Sequence, residues 1–158
     1  MEKNLHHQVD YYSRQLRLPA FRKAYVEQAK QAAKNNHSHE QYLLNLMLLE
    51  HDQRGQRRIK QRIRRAGFPQ KKFLQDLIKE ELPTEAAHKL PLLERLDFIR
   101  DGQNLILAGN PGTGKTHVAI ALAIKACLED FNVLFTTIPR LITQIIESRS
   151  NRILRLLE

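Results

Sequence analysis

In the first half of the chain, apolar residues return every three or four positions, the period of a helix that buries one face. Leu5, Val9, Tyr12 and Leu16 form one such stripe. Pro19 suits the first turn of a second helix, which Phe21 and Tyr25 carry towards Asn35. Ser38 reads as the N-cap of a third, with Gln41 three residues on completing a capping-box pattern. That helix, from His39, carries Leu43, Leu44, Leu46, Met47, Leu48 and Leu49, a density that predicts burial on nearly all sides of its first half. Gly67 and Pro69 mark its end. Gly55 predicts a kink or break within it, since Gly costs about 1 kcal/mol relative to Ala in a helix interior.

Further on the pattern changes. Asn104-Leu105-Ile106-Leu107-Ala108 reads as a short buried strand, with Gly102 ending the helix before it. A helix follows over Val118 to Leu128, then a second strand at Val133–Thr136, then a helical run after Pro139. The expected fold class is therefore α/β, an all-α N-terminal region followed by alternating strands and helices.

Charge sharpens that division. Residues 1–80 hold 17 Lys/Arg against 8 Asp/Glu, while residues 81–158 hold 9 of each, so the whole excess of +9 lies in the first half. The loop-prone stretch from Leu82-Pro83-Thr84 to Pro91 sets the boundary, giving a basic helical domain 1–82 and a neutral domain 83–158. An asymmetry of this kind points to a polyanionic partner. A lone Cys127 excludes a disulfide framework and reads as a small core residue. The longest apolar run, Val118–Ile124, is seven residues, far short of the roughly twenty a membrane span needs. The opening residues lack a signal-peptide core, so a cytoplasmic protein is expected.

Most of the excess is concentrated in Arg54, Arg57, Arg58, Lys60, Arg62, Arg64 and Arg65, with no acid among them. At about 100° per residue, Ile59, Ile63 and Ala66 share one narrow stripe and the seven cations fan across the other faces. Planar guanidinium forks donate two hydrogen bonds at once and suit phosphate. Sequence-independent DNA contact is the functional reading, and a solvated or protein-binding surface the competing one.

The strand at 104–108 runs directly into Gly109-Asn110-Pro111-Gly112-Thr113-Gly114-Lys115-Thr116, a complete G-x-x-x-x-G-K-T phosphate loop with a helix at once behind it. Its glycines let backbone N–H groups turn inward towards an anion, and the helix N-terminus adds its positive dipole end. Lys115 suits the β- and γ-phosphates, and the Thr116 hydroxyl is the expected protein ligand for Mg²⁺. No guanine-reading N/T-K-x-D pattern occurs, which favours ATP. The competing reading is a Gly-rich turn with no ligand. His37 and His39 beside Glu40 read as exposed cap residues rather than a metal site, and His6-His7 as a polar tail.

At these residues the chain closely resembles the IstB-like helper ATPases of insertion-sequence transposition, relatives of the DnaC-type helicase loaders within the AAA+ class. The resemblance rests on Leu96-Asp97-Phe98-Ile99, the 104–107 strand, the loop with His117, Asn132 to Thr137, and Leu141 to Arg149. It extends to the helical N-terminal region with Glu50 and Arg54. It implies an AAA+ αβα core, ATP and Mg²⁺ as ligands, DNA binding through the N-terminal helices, self-association on DNA, and a transposase as partner.

The same resemblance calls for a later strand ending in Asp-Glu, whose acids hold Mg²⁺ and orient the attacking water. After Thr116 the acids are Glu129, Asp130, Glu147 and Glu158, and none follows an apolar strand. The expectation is a family member truncated before that motif, its core incomplete, binding nucleotide without efficient hydrolysis and with a marginal C-terminal half. The alternative is a non-enzymatic DNA- or protein-binding remnant acting through its basic helices.

Overall fold

The computed structural model describes residues 2–78 and 82–155. Seven α-helices occur among them: α1 (Glu2–Gln15), α2 (Pro19–Lys34), α3 (His39–Arg65), α4 (Thr84–Leu93), α5 (Asp97–Arg100), α6 (Lys115–Leu128) and α7 (Ile138–Arg155), with a 3-10 turn at Leu74–Asp76. The chain divides into two compact units, Met1–Arg58 and Ile59–Glu158, with α3 contributing to both. This division in packing falls earlier than the change in charge and polarity near residue 82.

In the first unit the helices follow the sequence pattern, while their burial does not. Pro19 opens α2 as expected. The Ser38 hydroxyl accepts the Gln41 N–H at 3.2 Å, capping α3, whereas the Gln41 side chain donates to Asn45 rather than closing the box. Helix α3 continues through Gly55 without a break. Of its apolar first half only Leu46 is buried, and Leu43, Leu44, Met47, Leu48 and Leu49 are exposed. A single packed layer of neighbours covers one stripe of a helix, and here that stripe is half-buried Tyr42, Leu46 and Glu50, at i, i+4 and i+8. The α1 stripe is likewise open at Leu5 and Tyr12, with Ser13 buried in its place. His6 is more than a polar tail, since its Nδ1 lies 2.8 Å from the Tyr25 hydroxyl.

The polar anchor of this unit is Glu50, only 6% exposed. Its carboxylate accepts the N–H groups of Ala20 (2.8 Å) and Phe21 (3.2 Å), satisfying the open start of α2 from a distant helix. Arg54 Nε donates to the same carboxylate at 3.0 Å. Burial pushes the Glu50 pKa up, but the Phe21 amide, Arg54 and the Ala20 amide together outweigh it, and the net shift is downward. The folded value thus lies below the unfolded one. Ionised Glu50 stabilises the fold above the ordinary carboxylate range, and that contribution disappears as pH falls through the folded value. Glu50→Ala should cost about 2–3 kcal/mol at neutral pH, with the difference from wild type shrinking below about pH 4. Urea unfolding followed by far-ultraviolet circular dichroism at both pH values checks this; a gap independent of pH contradicts it.

The second unit is organised around α6, whose Val118, Leu122 and Ala126 join Leu90 and Leu96 in one buried cluster. Leu107 and Val133, from the two segments expected as strands, pack half-buried against that cluster. Neither segment forms a ladder: among the described residues there is no strand, and 103–110 and 131–137 are irregular. The α/β core expected from sequence is therefore present here only as helices and extended connections. A single strand has no secondary structure without a neighbour to exchange hydrogen bonds with. The Phe135 N–H finds its acceptor outside any sheet, on the Ala66 carbonyl at 2.7 Å. Ala66 follows α3, and Gly67 then turns away at φ +73°, as its expected role in ending that helix requires.

Candidate functional site

The segment leaving α5 passes Gly102 and runs without regular structure to Asn110, where the glycine-rich turn begins. Gly112 and Gly114 have φ of +83° and +77°. The positive φ of Gly114 demands glycine there, and a Cβ would in addition stand 3.2 Å from Leu82 Cδ2, a tight contact that the leucine side chain would have to yield to. Gly114 caps α6, whose first hydrogen bond runs from the Val118 N–H to the Gly114 carbonyl at 2.9 Å. Among the described residues, the N–H groups of Gly112, Thr113, Gly114, Lys115 and Thr116 donate to no protein acceptor. Successive free N–H groups at the start of a 14-residue helix form an anion-binding concavity.

The side chains complete that setting. Lys115 Nζ donates to the Asn110 carbonyl and to Thr113 Oγ1, the latter at 3.3 Å, so its ammonium is folded onto the loop itself. Thr113 Oγ1 in turn donates to the Asn110 carbonyl at 2.9 Å. Thr116 is exposed, with its hydroxyl on the first turn of α6. His117 Nε2 lies 3.2 Å from the Phe73 carbonyl, tying α6 to the segment before the 3-10 turn. Cavities of about 310 and 230 Å³ flank the loop, the first reached by Lys115 and Thr113, the second by Gly112, Gly114 and His117. The donor set fits a phosphate chain, with Lys115 and Thr116 the residues that would hold its γ end and a magnesium ion.

Two carboxylates line these cavities, Glu85 the first and Asp76 the second, whereas the acids that end α6 lie away from them. Glu129 accepts from Arg100 Nη2 at 2.5 Å, and Asp130 pairs with Arg62, both at the C-terminal end of α6. A helix of 14 residues puts them about 20 Å from its N-terminus. Glu147 lies in α7, and Glu158 falls outside the described residues.

All seven cations of the basic run lie on α3, but two are already committed. Arg54 bonds Glu50 and donates from Nη2 to the Arg17 carbonyl at 2.9 Å. The Arg62 side chain is 15% exposed; besides Asp130 it donates to the Cys127 carbonyl at 2.6 Å, closing the end of α6. The outward fan expected of Arg62 is thus corrected: an acid 68 residues away turns it inward. Arg57, Arg58, Lys60, Arg64 and Arg65 remain exposed. Cys127 is fully buried, and burial raises its thiol pKa against the opposing pull of Arg62.

Comparison with known proteins decides the ancestry. The pattern of a family described as IstB-like ATP binding protein matches residues 12–157, nearly the whole chain. The chain belongs to the IstB-like ATP-binding family. It is 34% identical over 130 residues to an insertion sequence IS21 ATP-binding protein of Pseudomonas aeruginosa, covering 82% of this chain and 49% of that one. An insertion sequence IS5376 ATP-binding protein of Geobacillus stearothermophilus is 27% identical over 134 residues, 85% of this chain and 53% of its own. An insertion sequence ATP-binding protein of Sinorhizobium fredii is 30% identical over 135 residues, covering 85% and 54%. The chain thus spans about half the length of these relatives.

Within this IstB-like chain, three supporting residues escape a reading by pattern. Glu50 looks like one more polar position on an apolar helix, and only its spacing of four from Arg54 hints at a pair. Asp130 carries no local signal for its bond to Arg62, nor Glu129 for its bond to Arg100.

Proposed function

We propose that this chain is an ATP-binding helper of insertion-sequence DNA transposition, taking Mg-ATP in the 109–116 loop and DNA on the exposed basic face of α3. The observation that carries the nucleotide reading is the run of free N–H groups from Gly112 to Thr116 at the α6 N-terminus. These donors, with Lys115 swung from its own loop carbonyl, bind and orient the phosphates, and Thr116 offers its hydroxyl to magnesium. A magnesium ion held there would supply charge neutralisation to the phosphates. Support for DNA contact comes from five exposed cations on one helix. Relatives named for insertion sequences support a transposase as partner, and we extend the proposal to self-association on DNA and a cytoplasmic setting. No helix among the described residues is long and apolar enough to cross a membrane.

Nucleotide is bound by this chain without efficient turnover, because none of the acids after Thr116 ends an apolar strand, and Glu129 and Asp130 stand at the far end of α6, held by Arg100 and Arg62. Phosphate release by the purified chain should stay at background with and without DNA. Sustained release that Lys115→Ala removes would show a carboxylate reaching the loop. The alternative, a non-enzymatic DNA- or protein-binding module, draws on the same five cations. It predicts DNA affinity indifferent to ATP and to Lys115→Ala.

A further inference from the structure

We propose that the turn between α1 and α2 carries a second phosphate site, a pocket of guanidinium groups that holds one backbone phosphate of a nucleic acid. A cavity of about 300 Å³ there is lined by Arg14, Arg17, Arg22 and Arg57, with Ser13 and Pro19. Against four arginines the lining has no acid, and two of the four pair with one carboxylate beside it: Asp10 lies 2.8 Å from Arg14 and 3.7 Å from Arg22. Arg17 and Arg57 have no acidic partner among the described residues. Like charges gathered at one cavity repel each other, and a tetrahedral anion with several oxygens relieves that repulsion by accepting from more than one fork.

The backbone turn that carries Arg17 into the lining is fixed by hydrogen bonds of its own. Arg17 sits in the left-handed region at φ +55°, and its N–H donates to the Arg14 carbonyl at 3.0 Å. The Leu18 N–H closes the turn on the Ser13 carbonyl at 2.8 Å, and Arg54 clamps the Arg17 carbonyl from α3. The α2 start takes no part in anion binding, because Glu50 already accepts the N–H groups of Ala20 and Phe21. Guanidinium groups alone do the holding. Arg57 also belongs to the basic run of α3, which makes a nucleic-acid phosphate the ligand. This identification rests on the proposed DNA contact of that helix.

The test compares the full chain with Arg14→Gln/Arg17→Gln, pocket positions outside the α3 basic face, and with Lys23→Gln/Lys30→Gln, which removes the same charge from exposed α2 positions outside the cavity. Duplex DNA binding is followed by fluorescence anisotropy from about 50 to 200 mM salt. The pocket variant should bind about tenfold more weakly, with a salt slope shallower by about one. The α2 variant should lose clearly less. Arg57→Lys, which keeps the charge and loses the fork, should fall between wild type and Arg57→Gln, and unfolding curves verify that each variant is folded. Equal losses in the two double variants overturn the proposal in favour of diffuse charge. Wild-type DNA affinity in the pocket variant, with inorganic phosphate binding lost by NMR titration, makes it a free-phosphate site and also overturns it. DNA binding that is absent even in wild type removes the α3 reading as well, and so separates the two failures.

Discussion

Lys115→Ala should abolish the rise in melting temperature that Mg-ATP gives the wild-type chain. A ligand bound only by the folded state adds RT ln(1 + [L]/Kd), about 2.7 kcal/mol at a hundredfold excess over Kd. For a chain of this size that corresponds to roughly 5–10 °C. Among the described residues Lys115 bonds only the loop's own Asn110 carbonyl and Thr113 hydroxyl, so its removal should leave the unliganded melting temperature nearly unchanged. Differential scanning fluorimetry with and without nucleotide reads both quantities. A shift that survives in the variant places the nucleotide somewhere other than this loop.

Neutralising Arg57, Arg58, Lys60, Arg64 and Arg65 together should reduce DNA binding to near the limit of detection. Five phosphate contacts account for about −4.5 in the slope of log K against log salt, and that part should vanish with them. Arg62→Ala should behave differently from its neighbours. Its guanidinium is held by Asp130 and the Cys127 carbonyl, so the slope should stay as in wild type while stability falls by about 1–2 kcal/mol. Anisotropy titrations across a salt series, paired with denaturant unfolding, distinguish the two behaviours. A slope that drops when Arg62 alone is removed contradicts its inward placement.

Local signals carried much of this architecture. The opening of α2 at Pro19, the Ser38 cap, the Gly67 stop and the helix behind the loop are all set by residues within one turn of where they act. Burial is different, because it depends on which elements a helix meets. Leu43, Leu44, Met47 and Leu48 look like core residues by hydrophobicity, yet they are exposed because the packing stripe of α3 runs through Leu46 and Glu50. The strand character of 104–108 fails for a related reason: a ladder needs a second segment, and hydrophobicity supplies only the tendency. The loop was legible in full, since its spacing encodes both its turn and its donors. The Arg62–Asp130 pair was not, because 68 residues of sequence separate groups that the fold brings together.

Isothermal titration of Mg-ATP into the folded chain bears most directly on the turn at 109–116 as a phosphate cradle. Saturable heat with one site per chain, absent in Lys115→Ala, is the predicted result. No heat from wild-type protein whose circular dichroism shows its helices intact would contradict it, leaving the basic helices as the functional part of the molecule.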